Sequence, residues 1–494
     1  IALATNDLPV NPHYITQVLD QGEVRLLHRS RWFNAITVEL QDSTVLAAIE
    51  ALDCVRSFRK VGRSARPVRD VVKFGDTYEM AGKQQFFESP DSMAYGPSYF
   101  QIDMIAVNEL HRLGYFGAGL TIAVLDAGFR RIEEMAVFDQ VRARGGLLGQ
   151  RDFVDGTLDS IGNGSHGTWV WSVMAGDLPG SLIGTAPQAN YWLLRTEQGR
   201  TEFVVEEHNW VAAAEFADSA GVDIINSSLG YTTFQDTTQD HTYADLDGNT
   251  TWVTRGADVA ASKGILVVNS AGNSGASAWK YLVAPSDGDS VMAVGAVGRD
   301  GVPAGFTSHG PSSDGRVKPN VAAMGANTVV ARIPEGIFNA NGTSFSSPLI
   351  AGAAACLWQA NPTRTNMEIL RAIEASAHRF TNPDTLWGHG IPNFRKAYEA
   401  LFDFEVFEPD PITIFPNPSS EAIAVEYYAE TSSTVQLEVF DLRGRSIYQQ
   451  EVSAVIGKNQ WILPATLPGN GTYVLAIEQD GEAYRKPFLR TQTR

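Results

Sequence analysis

Hydrophobic positions change their period twice along the chain, and the changes divide it into three regions. Between Asn11 and Lys60, apolar residues fall at helical spacing over Tyr14 to Leu19 and alternate with polar ones over Val24 to Leu27 and Phe33 to Leu40. Helical spacing returns over Thr44 to Leu52, and Cys54 to Val61 reads as a third strand. Two helices against a few antiparallel strands make a small α+β unit, whose first strand is expected before Ile1. Gly62 to Ser98 mixes charge, Pro and Gly without a period and reads as a linker.

In the second region, a short helix is predicted over Val107 to Leu113. Leu120 to Leu125 is then an unbroken apolar run that closes on Asp126. Parallel strands covered on both faces have this texture. It recurs at Tyr191 to Leu194, Val222 to Asn226, Ile265 to Asn269 and Val291 to Val297. Helical stretches intervene, as at Val204 to Ala217 and Arg255 to Lys263, and Met367 to Ser376 and Ile391 to Phe402 close the region. The alternation predicts an α/β fold with a mainly parallel, doubly wound sheet. Beyond Phe404 to Pro411 the runs shorten and alternate, at Ala422 to Tyr427, Val435 to Phe440, Ser446 to Gln450 and Thr472 to Glu478. With turns at Asn417-Pro418 and Gly469-Asn470-Gly471, they predict a C-terminal β-sandwich. The expected division is 1–63, a linker over 64–94, 95–403, a linker over 404–411, and 412–494.

Composition narrows the classes. With 494 residues, 44% of them apolar, the chain can bury a large core. A net charge of −18 argues against nucleic acid or an anionic membrane surface as partner. Cys54 and Cys356 fall in different predicted domains, so they make neither a disulfide framework nor a thiolate zinc site. No apolar run reaches transmembrane length. The chain opens on Ile1, which reads as a processed or truncated start.

Chemistry-bearing residues gather at the ends of the predicted strands. Asp126 closes a buried strand, at the edge where open α/β sheets place their sites, and reads as a turn cap or a site carboxylate. His166, in Gly162-Asn163-Gly164-Ser165-His166-Gly167-Thr168, precedes the apolar run Trp169 to Met174 and reads as a packed residue or a base. That loop also fits G-x-G-x-x-G, but it follows the acidic stretch Asp155 to Ser160 rather than a strand, so the dinucleotide reading fails. Asn273, in Ala271-Gly272-Asn273, reads as a turn residue or an oxyanion donor. Gly342-Thr343-Ser344-Phe345-Ser346-Ser347-Pro348, ahead of an alanine-rich helix, reads as a helix cap or as the seat of a nucleophile.

Together, in the order Asp, His, Asn, Ser, these motifs resemble the subtilisin-like serine peptidases over Tyr95 to Phe402. Gly184-Thr185-Ala186-Pro187, Asn226-Ser227-Ser228-Leu229-Gly230 and Gly315-Arg316-Val317-Lys318-Pro319-Asn320 agree with the resemblance. It implies Ser344 as nucleophile, His166 as general base and Asp126 as its orienting carboxylate. The Asn273 side chain and the Ser344 backbone N–H would hold the oxyanion. It also implies that Ser228, Leu229 and Gly230 pair with an extended substrate, and that Ala271 and Gly272 line the pocket before the scissile bond. Trp169-Val170-Trp171, Phe345 and Ser346 depart from the usual family residues.

The N-terminal unit resembles the family's propeptide, with self-cleavage expected within Gly62 to Tyr95. The C-terminal unit resembles the sorting domain of the type IX secretion system of Bacteroidota. Ile414-Phe415-Pro416-Asn417-Pro418, Val439-Phe440-Asp441-Leu442-Arg443-Gly444-Arg445 and Gly471-Thr472-Tyr473-Val474-Leu475 carry that likeness. Asp245, Asp247 and Asn249 place side-chain oxygens at alternate positions, and read as a plain polar turn or a calcium loop. The expectation is a secreted or surface-held serine endopeptidase made as a precursor. It would act on proteins or peptides, engage its own propeptide and the type IX machinery, and require no cofactor. Two rivals are an inactive surface-binding relative, opposed by the complete set of motifs, and an α/β-hydrolase esterase, opposed by the absence of G-x-S-x-G.

Overall fold

In the N-terminal unit, Asn11 accepts from the His13 N–H and Pro12 takes the first helical turn, so that helix α1 runs over Pro12–Leu19 with Ile15 and Val18 buried. Strands β1 (Val24–Ser30) and β2 (Ala35–Leu40) pair antiparallel with a bulge between Leu26 and His28, and α2 spans Leu46–Glu50. The computed structural model describes residues 5–62, 77–79, 94–156, 164–199, 201–406, 412–417, 419–420, 422–429, 431–455, 457–464, 470–479 and 482–491. The expected processing linker over 64–94 falls largely outside these residues, as do Gly162, Asn163 and most of the 404–411 linker.

The expected third strand over Cys54 to Val61 does not form. Its backbone is satisfied elsewhere: the Val205 N–H donates to Val61 O (2.7 Å) and Gln239 Nε2 to Lys60 O (2.8 Å). A strand that the aperiodic sequence did not announce, β3 (Thr77–Glu79), lies within the expected linker.

The large sheet has seven strands, β4 (Thr121–Asp126), β5 (Leu147–Asp152), β6 (Asn190–Arg195), β7 (Ile224–Ser227), β8 (Leu266–Ser270), β9 (Val291–Val297) and β10 (Val321–Met324). They are all parallel, in the order β10-β9-β8-β7-β4-β6-β5. The order reverses at β4, which is where a doubly wound sheet opens its crevice. Between the strands run α3 (His166–Ala175), α4 (Val205–Ser219) and α5 (Trp252–Ser262). Ala123, Leu125, Ile225 and Val267 share a buried cluster with Trp210, Ala214, Val253 and Ala257 of α4 and α5. Side chains alternate along a strand, so Ile122 and Val124 serve the other face.

A second, antiparallel sheet, β11 (Thr328–Ala331), β12 (Ile337–Asn341) and β3, leads directly into the long helix α6 (Thr343–Ala360). Pro348 therefore lies inside α6 rather than in a first turn, because the helix already starts at the small residues after Gly342. Helices α7 (Asn366–Ser376) and α8 (Phe394–Val406) follow.

Residues 401–494 form a separate compact unit. Its strands are β13 (Ile412–Phe415), β14 (Ile423–Ala429), β15 (Ser433–Asp441), β16 (Ser446–Ala454), β17 (Gly457–Leu463), β18 (Gly471–Gln479) and β19 (Glu482–Arg490). Two antiparallel sheets, β13-β14-β17 and β16-β15-β18-β19, share one core of residues such as Ile412, Val425, Leu437, Leu463 and Leu475, in keeping with a sandwich.

Candidate active site

Asp126 is the last residue of β4 and fully buried, while His166 is the first residue of α3 and 5% exposed. The His166 Nδ1 lies 2.8 and 3.0 Å from the two Asp126 carboxylate oxygens, and the Ala127 N–H donates to the first of them (2.7 Å). A carboxylate is an acceptor only, so Nδ1 carries the proton and Nε2 is the basic nitrogen of the neutral ring. The close approach requires Gly167, where a Cβ would meet Gly128 O at 2.6 Å.

Ser344 sits in the first turn of α6 and is 4% exposed. The ring of Phe345, the next residue, is centred 6.0 Å from that of His166, which places the serine-bearing turn beside the Asp–His pair. The same turn is tied to β8 and its following loop. The Thr343 N–H (2.8 Å) and Oγ1 (2.9 Å) both donate to Asn273 Oδ1, and the Gly272 N–H donates to Thr343 Oγ1 (3.1 Å). An N–H can donate only to the amide oxygen, so these bonds fix which arm of the Asn273 amide is the donor. Just after β7, Ser228 Oγ donates to Ser344 O (2.8 Å), and Ser347 Oγ donates to Asn226 Oδ1 of β7 (3.0 Å). The four motifs thus meet at the carboxyl ends of neighbouring strands β4, β7 and β8, at the heads of α3 and α6.

Residues 117–390 match the Subtilase family. The chain belongs to the subtilase family. Residues 1–73 match the Peptidase S8 propeptide domain of Bacteroidota, and residues 413–489 a secretion system C-terminal sorting domain. Subtilisin E of Bacillus subtilis (strain 168) is 31% identical over 319 residues, 63% of this chain and 72% of its own. The subtilisin of Bacillus pumilus is 30% identical over 315 residues, 62% of this chain and 98% of its own. Among solved structures, that of MycP1 from Mycobacterium smegmatis aligns with a TM-score of 0.48 at 20% identity, over 67% of this chain and 92% of its own. This subtilase is a serine endopeptidase with a propeptide domain, and its sorting domain marks it as secreted or held at the cell surface. No helix among the described residues is long and apolar enough to cross a membrane.

The remaining expected residues of the subtilase site lie close by. Ser228 and Leu229 are buried and Gly230 exposed, directly after β7, while Ala271 and Gly272 follow β8 and are buried. Val283, which carries no motif, packs between these two segments. A Cβ on Gly230 would meet its Cγ2 at 2.0 Å, and one on Gly272 its Cγ1 at 2.9 Å. The departures from family usage divide: Trp171 is core, stacked on Phe138 at 4.0 Å, and half-buried Trp169 meets Phe338 of β12 edge-on at 5.3 Å.

Asp245, Asp247 and Asn249 have local partners. Asp245 Oδ2 accepts from the Thr242 N–H (2.7 Å), and Asp247 Oδ1 from the N–H groups of Asn249 and Thr250 (2.8 Å each). A grouping the sequence did not announce is Glu197, Glu202 and Glu206, all buried, with carboxylate oxygens within 4.8 Å of one another. Tyr231, next to Gly230, donates its hydroxyl to Glu197. Glu197, Glu202 and Glu206 are scattered through the segment after β6, and neither their burial nor their convergence is readable from spacing.

Proposed function

We propose that Ser344 is the nucleophile of this endopeptidase, its Oγ attacking the scissile carbonyl while His166 Nε2 takes the proton and later returns it to the leaving amine. Asp126 orients the imidazole and stabilises the imidazolium. The observation that carries the reading is the buried Asp126–His166 pair beside the helix turn that bears Ser344. The Asn273 amide donor and the Ser344 N–H, at the positive end of α6, act on the developing oxyanion. Ser228, Leu229 and Gly230 pair with an extended polypeptide substrate by strand addition. Ala271 and Gly272 line the pocket for the residue before the scissile bond, and Val283 narrows it.

No cofactor enters these steps, since side chains carry every proton. In this reading the chain is a precursor: the N-terminal unit docks on α4 and is removed by self-cleavage within 64–94. The C-terminal unit is the export signal for the type IX machinery. Ser344→Ala should abolish both processing and peptide cleavage, and N-terminal sequencing of exported protein checks the first. An identical start in active wild type and Ser344→Ala protein overturns self-processing. Truncation before Ile412 should retain the protease in the periplasm; unchanged export would refute the sorting role. A structural calcium at Asp245, Asp247 and Asn249 requires chelator to lower the melting temperature. Unchanged melting assigns that loop to plain turn formation.

A further inference from the structure

In a helix the carbonyl of residue i accepts from the N–H of residue i+4, and a proline at i+4 has none to give. Within α6 the residue four beyond Ser344 is Pro348. The carbonyl of the proposed nucleophile therefore lacks its helical donor, at a residue only 4% exposed. Ser228 Oγ donates to that carbonyl at 2.8 Å. Asn226 Nδ2 lies 3.4 Å from Ser228 Oγ, and Asn226 Oδ1 accepts from Ser347 Oγ at 3.0 Å. The end of β7 and the head of α6 are joined through these side chains.

We propose that Ser228 is a positioning residue whose hydroxyl supplies the hydrogen bond that Pro348 removes from the helix. It fixes the peptide plane that follows Ser344, and with it the direction in which Ser344 presents its Oγ. This rests on Ser344 being the nucleophile. It also couples two halves of the site, because Ser228 opens the segment that is proposed to pair with substrate. Substrate pairing uses the backbone of that segment, whereas this role uses the side chain, so the two are separable.

The test is a double-mutant cycle on the full-length chain, with kcat and KM measured on one peptide substrate after active-site titration. Ser228→Ala should lower kcat about tenfold with KM within about twofold, since a buried carbonyl loses the donor that stands in for the helical one and only the reacting geometry suffers. Ser228→Thr, which keeps the hydroxyl, should stay within about threefold of wild type in kcat. Pro348→Ala restores an N–H at the required position, so in that background Ser228→Ala should change kcat by no more than about twofold. Equal losses in both backgrounds, or no loss in the first, would overturn the proposal. If Ser228→Ala does not accumulate, hydrogen exchange in the folded Pro348→Ala variant still decides. In that variant the carbonyl of Ser344 is shared between the Ser228 hydroxyl and the amide at position 348, so the amide should exchange more slowly when Ser228→Cys weakens the competing donor. The same exchange rate with and without Ser228→Cys overturns it. Peptide cleavage that survives Ser344→Ala would instead strike the nucleophile assignment, a separate outcome from failure of the cycle.

Discussion

Glu215 of α4 holds the turn that joins β1 to β2, and its removal should loosen the N-terminal unit. Its carboxylate accepts from Ser30 Oγ (2.5 Å), the Arg31 N–H (3.0 Å) and the Trp32 N–H (3.4 Å). Arg31 also pairs with Asp218 (2.7 Å), and Trp32, 6% exposed, enters the same core cluster as Trp210 and Val253. Burial pushes the Glu215 carboxyl above its ordinary range, and the bonds from Ser30, Arg31 and Trp32 pull it back. Glu215→Ala leaves three donors without an acceptor. At about 1–3 kcal/mol for each fully buried donor, and less for any that water reaches, the loss should total about 3–4 kcal/mol, or a factor of 10² to 10³ in docking. The assay is hydrogen exchange on full-length precursor held uncut by Ser344→Ala. The Arg31 and Trp32 amides should exchange about 10² times faster than in the parent, while β7 and β8 stay protected. Glu215→Gln, which keeps one acceptor oxygen, should fall between. Unchanged protection of the Arg31 and Trp32 amides would refute the reasoning.

Asp126→Asn should leave the fold intact and lower kcat by about 10⁴, because an amide donor facing Nδ1 selects the wrong tautomer of His166; a pH–rate profile with a loss under tenfold would contradict it. His208, stacked on Trp252 at 4.7 Å and bonded to Thr37 (2.9 Å), is pushed down to about 3 by burial, with Arg59 and His28 adding repulsion. Its docked-state pKa lies below the free value, so docking is strongest above pH 6.5 and weakens by up to about tenfold per pH unit below it. Exchange of the β1 and β2 amides in the uncut precursor at pH 7 and pH 5 checks this, and His208→Gln should flatten the dependence. Asp258 of α5 is pushed up to about 6 by burial, although the Ser290 N–H donates to it (2.9 Å). A raised native pKa means that its stabilisation is present at low pH and lost as pH rises through about 6. Asp258→Asn should therefore raise the melting temperature by about 2–5 °C at pH 8 and by little at pH 4.5.

Much of the site was legible because its motifs are local. Asp126 ends an apolar run, and Gly342-Thr343-Ser344 precedes an alanine-rich one, so spacing alone put both at element ends. The central strands of the parallel sheet were legible for the same reason, being buried on both faces. The edge strands were not: β5 alternates only partly and β10 has four residues, too short to show a period. The strand expected over Cys54 to Val61 was misplaced because its apolar positions serve another surface, with Val61 packed against the cluster of α4 and α5. The same limit hid Val283 and the three buried glutamates, whose meaning comes from residues distant in sequence. Proline is common at helix starts, so Pro348 ahead of an alanine-rich run gives no sign in the sequence of lying inside a helix. The structure places it inside α6, where its missing N–H makes the Ser228 contact meaningful.

The central claim is that Ser344 performs the nucleophilic attack. Its most direct test is to treat the processed enzyme with a sulfonyl fluoride or a peptidyl phosphonate, digest it, and locate the covalent adduct by mass spectrometry. The account predicts one adduct per active enzyme, on Ser344, formed in step with loss of activity. His166→Ala should form it at least about 10³ times more slowly. An adduct on another residue that accompanies inactivation, or full peptide cleavage by Ser344→Ala, would contradict it.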